Sequence, residues 1–164
     1  MPRPQIHIPD TPSDPFPIFV DSEIICGFGR GSSELQIPTA NIPINAELDK
    51  LNPGVYFGWC KTNTREHGPI TQMRHDNQPV YFNYGRELSD QEKEVFPMVM
   101  SIGWNPFYNN ETKAAEVHIM HKFKENFYGA SLKFVVLGYV RPELNYTTKG
   151  MLRYLEFCQS REKS

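Results

Sequence analysis

The sequence of 164 residues has little cysteine, no excess of basic charge and no long apolar run. Its three cysteines are widely spaced and include no C-x-x-C pair, which argues against a disulfide framework and against the common zinc and redox motifs. Seventeen basic and nineteen acidic side chains give a formal charge of −2, so no nucleic-acid partner is expected. No stretch approaches the roughly 20 apolar residues that cross a bilayer, so no membrane span is expected.

What is present is the composition of one folded domain, with 39% hydrophobic and 13% aromatic residues. Six of the fourteen prolines lie in residues 1–17, which predicts an extended N-terminal arm because proline removes backbone donors. Residues 18–164 are then expected to form a single domain. The few, unpaired cysteines and the absence of a signal peptide predict a cytoplasmic protein, with organelle association left open.

Short β-rich runs follow the arm, each bounded by glycine, proline, asparagine or charged residues. These six runs and the absence of repeats predict an all-β fold, as a small antiparallel barrel or sandwich. Ser89 and Glu92 form a capping-box pattern that predicts a short helix through about Phe96. Apolar residues at helical spacing predict a C-terminal helix over about 147–162. The six runs are 18–26, 54–62, 79–84, 97–103, 115–121 and 132–140.

A glycine-rich segment, GFGRGS, follows the first predicted strand directly at 27–32. Its glycines would let backbone amides approach a phosphate without obstruction by a Cβ. The spacing matches neither the dinucleotide nor the protein-kinase nor the Walker fingerprint. A bulge or a hairpin turn is therefore the competing interpretation.

The sequence Pro38-Thr39-Ala40-Asn41 places a hydroxyl and an amide oxygen two residues apart. If this segment is extended, both side chains project from the same face. Two neutral oxygens make the partial shell that Mg²⁺ takes when phosphates and water supply the rest. A local turn or cap is the alternative.

The segment 115–121, AEVHIMH, alternates in the manner of a strand. The alternation predicts Glu116 and His118 on one face, with Val117, Ile119 and His121 on the other. Glu116 is a candidate general base beside a polar site. Zinc binding by the glutamate and both histidines is disfavoured, because His121 would face away, and a solvated edge strand is the ordinary alternative.

Aromatic residues cluster near polar turns at 104–108 and 127–128, and again at Tyr139 and Tyr146. A planar ring could stack on such side chains. Aromatic residues in an all-β domain are more often part of the core, which is the competing interpretation.

Taken in order, the blocks GFGRGS, PTAN, GVYFGW, SIGWNPFY, EVHIMH, FYG and GYVRPE resemble the riboflavin kinase family, over about Ile24 to Tyr146. The resemblance implies a six-stranded antiparallel Greek-key β-barrel over about 18–146 with a C-terminal α-helix. It also implies phosphorylation of riboflavin by ATP to give FMN and ADP, as in the monofunctional eukaryotic members. FAD synthesis is not expected, since the chain starts close to the kinase domain.

The resemblance also implies a role for each matching residue. Glu116 would be the catalytic base, and Thr39 and Asn41 would hold Mg²⁺, with Zn²⁺ or Mn²⁺ as alternatives. The residues implied to line ATP or ADP are Gly27, Gly29, Arg30, Gly31, Ser33, Thr39, Ile119, His121 and Tyr128. The residues implied to border the flavin are Arg141, Leu144 and Tyr146.

Two features depart from the family pattern. Gln36 stands where the family commonly has glycine, and the connection from about 61 to 97 is longer than in many relatives and has no assigned role.

A non-catalytic flavin-binding barrel or an FMN-dependent split-barrel oxidoreductase is the alternative function. A monomer is expected, because the sequence indicates no exposed apolar stripe.

Overall fold

The computed structural model describes residues 8–26, 39–74, 77–104 and 112–143, which are almost entirely β-structure. The predicted C-terminal helix lies outside these residues. Within them, no helix is long and apolar enough to span a membrane. The elements are β1 Ile18–Glu23, β2 Thr39–Ile42, α1 Ala46–Asp49, β3 Gly54–Asn63, β4 Ile70–Met73, β5 Pro79–Phe82, a 3₁₀ turn Gln91–Lys93, β6 Val95–Trp104, β7 Lys113–Ile119 and β8 Ser131–Arg141.

Six strands form one antiparallel sheet in the order β1-β8-β3-β6-β7-β2. A bridge between Ile25, two residues after β1, and Asn41 of β2 brings the two edges of the sheet together, so the sheet curls into a half-barrel. The β3–β8 register shifts next to Gly58, where a Cβ would collide with the carbonyl oxygen of Val135. Bulges of this kind increase the bend of a strand and help a sheet to curl. The all-β barrel prediction is confirmed.

Alternate residues of each strand face the interior and build one apolar core. On β6 these are Met98, Met100 and Ile102, and on β7 they include Val117 and Ile119; all five are essentially inaccessible to solvent. Shortening a side chain in such a core removes apolar contact and leaves a cavity, which costs about 2–5 kcal/mol for a change such as Met to Ala. The core holds the strands in register and thereby fixes which outward-facing side chains meet.

Helix α1 is a single turn that is attached to this core by one side chain. Asn45 is its N-cap, and the Asn45 side-chain oxygen accepts a hydrogen bond from the backbone N–H of Leu48 at 2.8 Å. The Leu48 side chain is fully buried in the core. The turn is therefore held by its cap and by one apolar anchor rather than by its length.

The number of barrel strands was predicted correctly, but one strand was assigned wrongly. The run at 79–84 forms β5, which pairs with β4 in a separate two-stranded hairpin. The sixth barrel strand is β2, which lies in a stretch that shows no strand pattern in the sequence. Only four residues long, β2 buries Ala40 and Ile42 and presents two polar side chains, so its alternation is too short to recognise.

The capping box is present, although the helix it begins is shorter than predicted. The Ser89 N–H donates to the Glu92 carboxylate at 2.8 Å, and the Glu92 N–H donates to the Ser89 hydroxyl at 3.3 Å. The turn ends at Lys93 instead of continuing to about Phe96. Val95 and Phe96 pair with β3 instead, so strand pairing overrides the local signal.

The outer face of the sheet carries an apolar row that the sequence pattern does not reveal. Phe19, Val135, Trp59 and Pro97 are register partners across four adjacent strands. Phe19 and Trp59 are exposed. The expected monomer therefore stays a prediction, and the absence of an apolar stripe no longer supports it.

Candidate active site

The antiparallel pairing of β2 with β7 brings together the two polar pairs of residues that the sequence predicts separately. Thr39 lies opposite His118, and Asn41 lies opposite Glu116. Opposed residues of an antiparallel pair share a face, so all four side chains project from the outer side of the barrel. We call these four residues the polar quartet. The predicted facing of Glu116 and His118 is thus observed, and Thr39 and Asn41 join them.

Strand β6 adds a second carboxylate beside the polar quartet. Ser101 is the register partner of Glu116, and its hydroxyl donates to the Glu143 carboxylate at 3.2 Å. Glu143 sits over Gly103, where a Cβ would collide with its carboxylate. Ser101 and Glu143 belong to no motif that the sequence shows. Only the glycine in SIGW, which permits this close approach, hints at the contact.

Glu116 lies in an environment that makes its carboxylate more basic. Burial raises the pKa of Glu116, and the nearby Glu143 carboxylate raises it further. No residue that the structure describes donates a hydrogen bond to the Glu116 carboxylate. A carboxylate that lacks donors and faces a like charge is suited to accept a proton.

The pKa of Glu143 is also raised, but by opposing influences. Burial raises its pKa, whereas the Ser101 hydroxyl and the charge of Arg141 lower it. Arg141 ends β8, and its guanidinium donates to the carbonyl oxygen of Pro142 at 3.1 Å. Arg141 therefore brings positive charge to the same end of the sheet as the two carboxylates.

His118 is the most enclosed member of the polar quartet, with 6% of its surface exposed. Its Nδ1 lies 3.3 Å from the Thr39 hydroxyl. Its Nε2 has no hydrogen-bond partner in the described part of the chain. Burial lowers the pKa of His118 to about 4, so the ring is neutral at pH 7.

Three residues predicted to border a nucleotide lie away from the polar quartet. Ile119 is buried in the core. His121 stacks on the ring of Phe96 with the centroids 4.1 Å apart. Tyr128 packs near Phe82, and burial raises its pKa. The structure thus separates these residues from Glu116 rather than gathering them into one cluster.

A cavity of about 320 Å³ lies between the end of β1 and the β4–β5 hairpin. Its wall includes Cys26, the residue before the glycine-rich segment, and Gly129, which follows Tyr128 in the chain. The hairpin contributes Gln72, Met73 and Arg74. The connection at 61–97 has no role that the sequence predicts, and in the structure it forms one wall of this cavity. The residue after Tyr128, Gly129, lies in the same lining.

The remaining predicted site residues cannot be located, because they lie outside the described residues. The described part of the chain holds no group of three or more histidine, cysteine, aspartate or glutamate side chains that could bind a metal. The neutral oxygens of Thr39 and Asn41 do suit a hard divalent cation whose other ligands come from phosphate. The predicted residues outside the description are Gly27, Gly29, Arg30, Gly31, Ser33, Leu144 and Tyr146.

Comparison with known proteins gives a consistent result. The family model described as Flavokinase: Riboflavin kinase matches residues 14–154. The chain is 59% identical to a riboflavin kinase of Meyerozyma guilliermondii, covering 92% of this chain and 83% of that protein. It is also 59% identical to a riboflavin kinase of Lodderomyces elongisporus, covering 93% of this chain and 84% of that protein.

A solved structure shares the fold. The chain superposes on riboflavin kinase from Trypanosoma brucei with a TM-score of 0.53 at 21% identity, covering 92% of this chain and 80% of that chain. At this level of identity the superposition supports the barrel architecture only. The evidence for the family comes from the match to the family model and from the identity to the two fungal sequences.

Proposed function

Because the chain belongs to the riboflavin kinase family, we propose that it transfers the γ-phosphoryl group of ATP to the ribityl 5′-hydroxyl of riboflavin, giving FMN and ADP. The observation that carries the proposal is the β2–β7 pairing, which sets Thr39 and Asn41 directly opposite His118 and Glu116. A pair of neutral oxygen ligands and an enclosed carboxylate base then lie on one face. Phosphoryl transfer to an alcohol requires these two components beside each other.

The transfer conserves atoms and charge in one displacement. The 5′-oxygen of riboflavin forms a bond to the γ-phosphorus while the bond to the β,γ-bridging oxygen breaks, and ADP leaves. Glu116 accepts the hydroxyl proton at its carboxylate, for which its raised pKa suits it. The outer-face position keeps this carboxylate accessible to a bound alcohol, whereas the neighbouring Val117 faces the core.

Thr39 and Asn41 are the proposed metal ligands, with Mg²⁺ the expected ion and Zn²⁺ or Mn²⁺ the alternatives. Their hydroxyl and amide oxygens are hard, uncharged donors, which leaves room for phosphate oxygens in the same shell. A divalent cation held there supplies neutralisation of the triphosphate charge. Within this arrangement the protein's own task is to hold the two oxygens on one face of β2, which the register with β7 secures.

The nucleotide and the flavin are proposed to contact different sides of the polar quartet. Arg141 at the end of β8 supports a flavin side, because its charge acts on the Glu143 carboxylate, which in turn acts on Glu116. The cavity lined by Gly129, the residue after Tyr128, supports the proposal of Tyr128 as a nucleotide residue, and Ile119 and His121 stay in the proposed nucleotide set on the family resemblance alone. The glycine-rich residues Gly27, Gly29 and Gly31, with Arg30 and Ser33, complete the proposed nucleotide set, and Leu144 and Tyr146 complete the proposed flavin set.

The direct test is incubation of the purified protein with riboflavin, ATP and Mg²⁺, followed by chromatographic separation of flavins and nucleotides. We expect FMN and ADP in equal amounts. Flavin binding without any ADP release, across Mg²⁺, Mn²⁺ and Zn²⁺, would instead indicate a non-catalytic flavin-binding barrel.

The metal assignment is tested with Asn41→Ala, using the exposed Asn52→Ala as the control. Loss of one oxygen ligand should weaken binding of Mg–ADP by at least about ten-fold, while binding of metal-free ADP stays close to wild type. Isothermal titration calorimetry with and without EDTA separates the two affinities. Equal Mg–ADP affinity in both variants would remove Asn41 from the metal site.

A further inference from the structure

His118 has no role in the reaction as described above, although it is the most enclosed residue of the polar quartet. Its Nδ1 faces the Thr39 hydroxyl at 3.3 Å, and its Nε2 is buried without a hydrogen-bond partner among the described residues. Its register partner on the other side is Val99, which belongs to an apolar cluster with Val55 and Val140. One edge of the ring therefore faces the Thr39 hydroxyl, and an apolar residue lies next to it on β6.

A buried polar atom without a partner destabilises a folded protein, so its presence requires an explanation. An aliphatic residue at position 118 would pack against Val99 and avoid that cost. A ring that served packing alone would therefore be a poor choice. Among the described residues, the polar contact of the His118 ring is with the Thr39 hydroxyl. The reason for a histidine at this position is therefore expected to involve that hydroxyl.

The chemistry of a hydroxyl ligand explains the contact. The Thr39 hydroxyl has one proton and two lone pairs, and a cation can bind only to a lone pair. The proton must then be donated to another acceptor. A neutral imidazole protonated at Nε2 offers an acceptor at Nδ1, on the side that faces Thr39.

We propose that His118 is a positioning residue that accepts the Thr39 hydroxyl proton at Nδ1 and so turns the Thr39 oxygen lone pairs toward the metal–nucleotide complex. This inference rests on the proposed function, because it assumes that Thr39 is a metal ligand. In this arrangement the ring proton lies on Nε2, because Nδ1 must be free to accept from Thr39. The buried Nε2–H lowers the stability of the folded protein, and in return the Thr39 hydroxyl is held in one orientation.

The sharpest test compares His118→Asn with His118→Gln. The amide of asparagine reaches about as far as Nδ1, whereas the longer glutamine amide reaches about as far as Nε2, so only asparagine can still accept from Thr39. We expect His118→Gln to weaken Mg–ADP binding about ten-fold and His118→Asn to stay within about three-fold of wild type. Metal-free ADP should bind all three proteins equally. His67→Gln, at an exposed histidine stacked on Tyr84, is the control.

A double-mutant cycle identifies the partner. Thr39→Val removes the hydroxyl while keeping the shape of the side chain. If His118 acts through that hydroxyl, adding His118→Gln to Thr39→Val should weaken Mg–ADP binding no further. Independent, multiplying losses would show that His118 does not act through Thr39 and would overturn the proposal.

Stability provides a readout that separates positioning from packing. His118→Leu should unfold at the same or a higher temperature than wild type, because it removes the unpaired buried nitrogen, and yet lose Mg–ADP affinity about as His118→Gln does. A large fall in the unfolding temperature together with unchanged Mg–ADP affinity would make His118 a packing residue. Nitrogen-15 NMR of the ring should show the proton on Nε2, and a proton on Nδ1 would also overturn the proposal.

The two levels of inference fail differently. If wild-type protein forms no FMN from riboflavin, ATP and Mg²⁺, the proposed function fails, and the role of His118 fails with it. If wild type shows the metal-dependent binding but Asn and Gln variants lose it equally, the role assigned to His118 fails while the proposed function stands.

Discussion

Two enclosed glutamates in this barrel have opposite environments. Glu92, with 4% of its surface exposed, accepts hydrogen bonds from the backbone N–H groups of Ser89 at 2.8 Å and Lys124 at 2.9 Å. Burial alone would raise the pKa of Glu92, but these hydrogen bonds lower it below the usual value. Glu116 has no donor among the described residues and faces Glu143, so its pKa is raised.

The comparison shows that donors, rather than burial, decide what an enclosed carboxylate does. Glu92 is held by its own turn and by the segment that carries Lys124, and its charge is fully used in structure. Glu116 lies on the outer face of β7 opposite Asn41, where the proposed function uses its charge to accept a proton. We therefore expect substitutions at Glu92 to change stability and substitutions at Glu116 to change turnover.

The largest effect is expected for Glu116→Gln, with the exposed Glu66→Gln as its control. Removal of a positioned general base should lower kcat by about 10²–10⁴-fold, because glutamine cannot accept the hydroxyl proton. Binding of riboflavin, followed by quenching of flavin fluorescence, should stay close to wild type. FMN formation at the wild-type rate would show that Glu116 is not the base.

The next effect is on stability, at Glu92→Gln. The substitution replaces one oxygen by an amide group that cannot accept from a backbone N–H, which should cost about 1.5–3 kcal/mol at neutral pH. Because the pKa of Glu92 is lowered in the folded protein, its contribution is complete above the carboxyl pKa of the unfolded chain and is lost as the pH falls through the folded value. Denaturant unfolding at pH 7 and below pH 4 should show the variant's deficit shrink on acidification.

Glu116→Gln should affect stability in the opposite direction and by less. The raised pKa means that ionised Glu116 destabilises the fold at neutral pH, so glutamine should leave the unfolding temperature unchanged or slightly higher. The difference should vanish at low pH, where the glutamate is protonated. A clear loss of stability at pH 7 would mean that Glu116 is held by donors, as Glu92 is.

The smallest effect is expected for Glu143→Gln, which keeps an acceptor for the Ser101 hydroxyl but removes the like charge. The pKa of Glu116 should fall, so the acidic limb of the kcat–pH profile should move to lower pH while kcat at pH 8 changes little. The exposed Glu94→Gln is the matched control. An unmoved limb would show that burial alone raises the pKa of Glu116.

Most barrel strands could be predicted from the sequence, because alternation is local. The runs at 54–62, 97–103, 115–121 and 132–140 all lie within observed barrel strands or overlap them closely. Strand β2 was missed because four residues carry too little alternation. The run at 79–84 was placed in the wrong sheet, because propensity does not specify a strand's partner.

The candidate site was likewise predictable within each strand but not between strands. The sequence predicts that Thr39 and Asn41 share a face, and that Glu116 and His118 share a face, since each pair is two residues apart on one strand. It does not reveal that the two pairs oppose each other across β2 and β7. Ser101 and Glu143 escaped notice for a related reason: a serine and a glutamate 42 residues apart form no motif.

The sequence by itself determined the barrel class, the shared face of Glu116 and His118 on β7, the capping box and the kinship of the chain, since all of these are carried by residue type and short-range spacing. Only the tertiary structure decided the register that joins Asn41 to Glu116 and left Nε2 of His118 without a partner among the described residues. Thr39 and His118 are 79 residues apart. Contacts at that separation depend on how the whole core packs, because the core fixes the register between strands.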